Sequence, residues 1–295
     1  MSKIIISFTN LRKILEIEYL SLVPYYGKIS AYEICIKEVL AMELWTGPHA
    51  ATLFPTLAVM FLVSLLLRRY LKENSLEMRM LPVKIIAVLL LLLEIGKQGI
   101  SLLRGYDLYH LPFHFCSLYL FMIPAMAFYR GKHQRQVCAI NAAICASLFL
   151  IMLIYPNLIY SADNIRLYFE DYMSFHTVTF HNLVMLAALL IPALGLYRPK
   201  KAGETKAIIL FIVAFCAVAA TMAQLLQTNF ANYYTCNIPV LESLRLSVQG
   251  LLGYWPAQLL YILILSAVNI LFVLMSHRVC MLYSKLFSRS RQRTA

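Results

Sequence analysis

Charge is what this sequence has least of. Only 14% of its 295 residues are Asp, Glu, Lys or Arg, where a water-soluble domain carries about a quarter. Acidic residues are the scarcer kind, 14 against 26 Lys and Arg. Apolar residues make up 61%, and an excess of that size must meet lipid rather than water. About seven spans of about 20 residues would use half of the chain, which leaves no room for a soluble catalytic domain beside them. Other signals are missing too. The first 45 residues lack the apolar core and small-residue site of a cleavable signal. Of seven cysteines, most lie in apolar runs and only Cys236 lies in an expected outer loop, so no disulfide framework is expected. No group of residues has a zinc spacing. Gly96-Lys97-Gln98-Gly99 lacks the spacing and preceding strand of a phosphate loop. No metal or cofactor is therefore called for, and there is no internal repeat or low-complexity tract.

What is present is a series of apolar runs at 50–67, 84–104, 113–129, 136–155, 179–196, 207–228 and 255–276. Each is near the length that crosses a bilayer. Backbone groups in hydrocarbon must bond within their own segment, and the runs are continuous rather than alternating as barrel strands would be. The expected fold is an all-α membrane protein, a bundle of seven transmembrane helices over residues 46–276. A basic tail, 277–295, follows it. An N-terminal extension, 1–45, precedes it, with an amphipathic interfacial helix over 29–45 in which Glu33 and Lys37 pair at i,i+4.

Lys and Arg set the orientation. Arg68, Arg69, Lys72, Arg79 and Lys84, then Arg130, Lys132 and Arg135, then Arg198, Lys200, Lys201 and Lys206, then Arg278, Lys285, Arg289, Arg291 and Arg293 occupy alternate loops and the tail. Those seventeen face only Arg104, Arg166 and Arg245 on the other side. The expected protein is a multi-pass cell-membrane protein with its N-terminus outside and its C-terminus cytoplasmic. The net charge of +12 then reflects insertion and attraction to anionic lipid, not nucleic acid, whose basic clusters would not follow span parity.

Ionisable groups inside spans are costly and usually face the bundle interior. Here they share one depth, the outer halves: His49, Glu94 and Lys97, His110 and His114 around Pro112, His176 and His181, then Gln224, Gln227, Asn229 and Trp255. The pattern predicts one polar pocket opening outward. Individually, Glu94 and Lys97 at i,i+3 either neutralise each other or meet a ligand. Trp255 fits an interfacial belt, and Gln224 and Asn229 fit interhelical hydrogen bonding. His114 and His181 open long apolar runs and can titrate, so they are the expected catalytic pair. Ser117, three residues from His114, is a candidate nucleophile or a packing residue. Cys116, about 200° from His114 on a helix, is expected to point elsewhere. His49, Glu94, Lys97, His110 and Asn229 are the expected substrate-binding residues.

The run His110-Leu111-Pro112-Phe113-His114-Phe115-Cys116-Ser117-Leu118 resembles the start of a span in the YwaF-like family of bacterial integral membrane proteins. Gly47-Pro48-His49, Gln227-Thr228-Asn229-Phe230, Gly253-Tyr254-Trp255-Pro256 and the position of His181 resemble further parts of it, over residues 45 to 276. That family is distantly similar to transmembrane protein 164, described as a lipid acyltransferase that uses a cysteine and a histidine. Matched residue by residue, its Pro-Cys-His falls on Pro112, Phe113 and His114, so a phenylalanine stands at the nucleophile position. The resemblance implies an integral membrane protein, with His114 and His181 as an acid/base pair. Two classes of function follow. One is a membrane acyltransferase or lipid/ester hydrolase whose partner is membrane lipid. The other is a small-solute transporter or receptor-like binding protein without catalysis, or an interaction protein with no chemistry at all.

Overall fold

Each of the seven apolar runs overlaps an α-helix, and two α-helices among the described residues lie outside them. A computed structural model describes residues 47–197 and 203–292. Its helices are α1 (Gly47–Leu71), α2 (Leu76–Leu103), α3 (Ser117–Phe128), α4 (Gln134–Ile154), α5 (Ala162–Arg166), α6 (Tyr172–Ala193), α7 (Glu204–Leu226), α8 (Pro239–Leu252) and α9 (Tyr254–Gln292). Among the described residues there is no strand. The amphipathic helix expected over 29–45, like Arg198, Lys200, Lys201 and Arg293, lies outside the described residues.

Five helices are long and apolar enough to cross a membrane: α1, α4, α6, α7 and the Tyr254–Lys285 part of α9. The other two expected spans differ for identifiable reasons. α2 has 28 residues but carries Glu77, Arg79, Lys84, Glu94 and Lys97. α3 has only 12 residues, about 18 Å at 1.5 Å per residue, against about 30 Å of hydrocarbon. Its start is delayed by Pro112, which has no amide proton and favours an extended residue before it. Leu111 adopts φ −63° and ψ 148°, and the helix begins only at Ser117.

Long-range bonds define two ends of the bundle. At one end Arg68 Nη1, near the close of α1, donates to the Ala193 carbonyl at 2.9 Å, and Arg79 Nη1, near the start of α2, donates to the Leu194 carbonyl at 2.9 Å. α6 finishes there in a Schellman motif: Gly195, at φ 64°, donates to Pro192 and Leu196 donates to Ile191. That turn exposes carbonyls carrying the negative end of the helix dipole, and the two arginines satisfy them. Arg79→Ala is therefore expected to cost about 1.5–3 kcal/mol, the range for a hydrogen bond to a charged group, measured by unfolding in detergent. At the opposite end Arg104 meets Asp171 at 3.1 Å, joining the close of α2 to the start of α6, and Tyr254 donates to Gln224 at 3.0 Å, joining α9 to α7.

α4 is the central helix. The run Cys138–Cys145 is buried throughout, and α3, α6, α7 and α9 all pack on it. Small residues explain the fit: Ala139, Ala142, Ala143 and Cys145 let neighbouring backbones approach closely, as small residues do where lipid supplies no hydrophobic drive. α1 and α9, in contrast, turn large apolar side chains outward, among them Phe54, Phe61 and Leu62 of α1 and Leu259, Leu263 and Leu271 of α9.

Candidate functional site

The site is built from the last turns of α2 outward. Glu94, Lys97, Gln98 and Ser101 recur at i, i+3, i+4 and i+7 and so share one helix face. Lys97 Nζ lies 2.7 Å from Glu94 Oε1, and Gln98 Nε2 donates to the same oxygen at 2.7 Å. The second carboxylate oxygen lies 3.4 Å from His176 Nε2 of α6. Gln98 also donates to the His110 carbonyl at 2.9 Å and accepts from the Tyr106 hydroxyl at 2.8 Å. Ser101 Oγ meets His110 Nδ1 at 2.5 Å. One helix face thus pins the loop 104–116 and touches α6. Side-chain exposures of 13% for Glu94 and 18% for Lys97 make this a largely enclosed ion pair.

Gly96 is what brings α6 this close. A Cβ there would overlap the Tyr172 hydroxyl, which instead donates to the Leu93 carbonyl at 2.9 Å. α6 starts at a strong cap, with Asp171 accepting from the Ser174 amide at 3.1 Å. Burial of this carboxyl opposes its ionisation, but the Ser174 amide and the Arg104 guanidinium outweigh it and hold Asp171 below the ordinary carboxylate range. A depressed carboxylate adds stability above its unfolded pKa, about 3.9, and that stability is lost as pH falls through the lower folded value. Asp171→Asn is expected to flatten the acid limb of stability below about pH 4 and to leave neutral-pH stability within about 1 kcal/mol, read from melting temperature against pH.

His114 and His181 are held in opposite tautomers. His181 Nδ1 meets the Thr177 carbonyl at 2.6 Å. A carbonyl only accepts, so Nδ1 carries the proton and the neutral ring's lone pair is on Nε2. That nitrogen has no hydrogen-bond partner among the described residues. His114 is the reverse. Its Nε2 donates to the Tyr109 carbonyl at 2.9 Å, and its Nδ1 accepts a long bond, 3.5 Å, from the Ala231 amide. Its ring lies 4.3 Å from Tyr109 and 5.4 Å from Phe230, centroid to centroid. Both nitrogens of His114 are engaged by the chain itself.

The loop that reaches His114 is strained and heavily tied. Gln227, Ala231 and Asn232 all have positive φ, 49°, 49° and 64°, conformations that side-chain-bearing residues adopt at some cost. Phe230 and Tyr233 are fully buried. Phe230 packs on Phe113 at 5.2 Å, and the Tyr233 carbonyl accepts from Gln224 and Gln258 at 2.9 and 2.8 Å. Asn229 spends both ends of its amide within the loop, accepting from Tyr234 and Thr235 and donating to Asn237.

The expected residues therefore separate. Glu94, Lys97 and His110 form one hydrogen-bonded group with Gln98, Ser101 and Tyr106, and His176 lies beside it. His114, in the loop 104–116, and His181, on α6, share no hydrogen bond or ring contact. Cys116 was expected to point away from His114, but that wheel argument requires a helix, and residues 111–116 are not helical. Ser117 is the first residue of α3, half-buried, with its amide bonded to the His114 carbonyl. His49 is buried in the first turn of α1. Gln224 acts as an interhelical hydrogen bonder, and Trp255 is 68% exposed, as a belt aromatic would be.

Polar groups are not confined to this end. Near the other, Glu204 is buried and pairs with Arg135. It accepts from Tyr197 at 2.7 Å, whose oxygen also lies 3.1 Å from His277 Nε2. Sequence reading missed this network because its members sit at loop edges, where they count as solvated. It also missed Gln98 and Ser101, although their spacing from Glu94 was a usable signal, and it missed α8.

No group of His, Cys, Asp and Glu among the described residues is arranged to hold a metal. The described cysteines are free. Searches of curated proteins and of solved structures returned no match. The sequence profile of the TMEM164 family matches residues 44–277, which takes in the polar group, both histidines and every helix that contributes to them. With its apolar helices long enough to cross a bilayer, the chain is a multi-pass membrane protein and belongs to the TMEM164 family.

Proposed function

We propose that this protein is a membrane enzyme that acts on a lipid or acyl ester within the bundle end that holds its histidines. The observation that carries the reading is the state of His181. Its tautomer is set by Thr177, its Nε2 is open, and it follows by five residues on α6 the His176 that meets the Glu94–Lys97 pair. That is the arrangement of a general base beside an electrostatic anchor. In this reading Nε2 takes a proton from water, or from the Ser117 hydroxyl. The oxygen so activated bonds to the ester carbonyl carbon, the bond to the leaving alcohol oxygen breaks, and the proton passes from His181 to that alcohol; an acyl group left on Ser117 is then released when water, deprotonated by His181, attacks it and the proton returns to the serine oxygen. Lys97 steadies the oxyanion or an anionic headgroup, and Glu94, Gln98 and His110 hold Lys97 and the neighbouring loop.

The reading gives His114 a different part from His181. With both nitrogens bonded to the chain it is a positioning residue that fastens residues 227–233 over the site, and Asn229 serves that same loop rather than substrate. α2 and α3 complete a seven-span bundle, the loop 104–116 filling the depth that α3 leaves. Seventeen basic residues against three support the cytoplasmic assignment of the other end, in the cell membrane. The likeness of residues 110–118 to the YwaF-like family and, more distantly, to a lipid acyltransferase supports the substrate class.

The test is purified protein in vesicles containing a panel of ester-linked phospholipids and glycerides, with released fatty acid and transferred acyl chains followed by mass spectrometry. Product above that of empty vesicles is expected. Absence of product across the panel, together with counterflow uptake of a small solute that Lys97→Ala abolishes, would replace catalysis with transport.

A further inference from the structure

α8 has the polarity of a soluble helix turned inside out. Arg245 is buried, and Glu242 and Gln249 are half-buried beside it. Leu241, Leu244, Leu246, Leu251 and Leu252 are exposed, Leu251 at 85%. No exposed position from 241 to 252 carries a charge. Arg245 closes on the Glu242 carboxylate with two bonds, one of 2.8 Å from Nε, and donates to Gln258 at 2.9 Å. Its guanidinium lies 5.9 Å over the Tyr261 ring. Glu242 also accepts from the Cys236 amide at 2.8 Å. The polar side is therefore consumed by α9 and by the 227–238 loop, and α8 folds back along the first turns of α9 after Gly253, whose φ of 82° makes the turn.

A leucine face in water would be left uncompensated, because burying apolar area is the main favourable term in folding. α8 has 14 residues, about 21 Å, too short to cross about 30 Å of hydrocarbon. Its exposed leucines are followed without a break by Trp255 and by Leu259, Leu260 and Leu263 on the exposed side of α9, a helix that meets lipid. We propose that α8 is a half-depth membrane helix. Acyl chains of the leaflet at the histidine end cover its leucine face, and its Glu242–Arg245 side seals the loop that carries Phe230 and Ala231 to His114.

The test places a tryptophan reporter on that face. Trp45 and Trp255 are the two native tryptophans, so Leu244→Trp and, separately, Leu251→Trp are made with both replaced by phenylalanine. Each is reconstituted in vesicles of phosphatidylcholine brominated on the upper acyl-chain carbons, about 5–10 Å below the headgroups. The expected result is strong quenching of both reporters by the brominated lipid and little by aqueous iodide. Quenching by iodide with none by lipid would overturn the proposal, since the face would then be wet. Protection from both quenchers, with lipid quenching appearing only at high lipid-to-protein ratio, would also overturn it, since a second copy of the chain would then be the cover. Unchanged unfolding temperatures show that the variants are folded, and agreement between the two reporters guards against a local disturbance at either.

Discussion

Substituting alanine for His181 is expected to lower turnover of an ester-bearing lipid by about 10²–10⁴-fold, the usual contribution of a positioned general base. Stability should hardly change, because the one bond lost is to the Thr177 carbonyl, which an α-helix already serves. Alanine at His114 should behave differently. It removes the contact with Phe230 and both bonds to Tyr109 and Ala231, so both stability and activity should fall. The kinetic profile separates the two roles. Loss of a base removes the acid limb from the pH–rate profile, whereas loss of a positioning residue lowers the whole profile and keeps its shape. Equal turnover by wild type and His181→Ala would remove the catalytic reading altogether.

The second large effect is structural. Arg245→Met is expected to destabilise the folded protein by about 3–5 kcal/mol, the cost of leaving one member of a buried pair without its partner. Arg245 is the more enclosed of the two, at 7% side-chain exposure against 22% for Glu242. Without it, the Glu242 carboxylate keeps the Cys236 amide as a partner but has no positive charge beside it, while Gln258 Oε1 loses the donor that Arg245 supplied. The double variant Glu242→Gln with Arg245→Met should recover much of the loss, because a neutral amide next to an apolar side chain strands no charge. Unfolding in mixed micelles measures both. A single-variant loss below about 1 kcal/mol, the range of exposed pairs, would show that the pair is solvated.

Much of the architecture was legible in apolar periodicity and length. Each predicted run meets a helix because continuous apolar stretches in lipid have only one way to satisfy their backbones. Three features were not legible. α8 was hidden because Glu242 and Arg245 marked its stretch as a loop; reading it correctly requires knowing that the charges turn inward and pair. Residues 113–116 belong to the apolar run of the third expected span, yet α3 begins only at Ser117. The pairing of exposed Arg135 with buried Glu204 was hidden by distance in sequence. The candidate site was half visible: Glu94, Lys97 and His110, grouped in the structure, share one depth in the sequence, while which ring nitrogen of His114 and of His181 meets which carbonyl is specified by no sequence pattern.

The bond between His114 and the Ala231 amide also fixes an order of events. Its ends are 117 positions apart, and ribosomes add roughly 5–20 residues per second. For several seconds after His114 has left the ribosome its cover does not exist, and α6, with His176 and His181, is made before that cover is. The site therefore stands open in the nascent protein until residues 227–233 are made, so a product truncated before residue 227 would display a lysine, a carboxylate and four histidines without that cover.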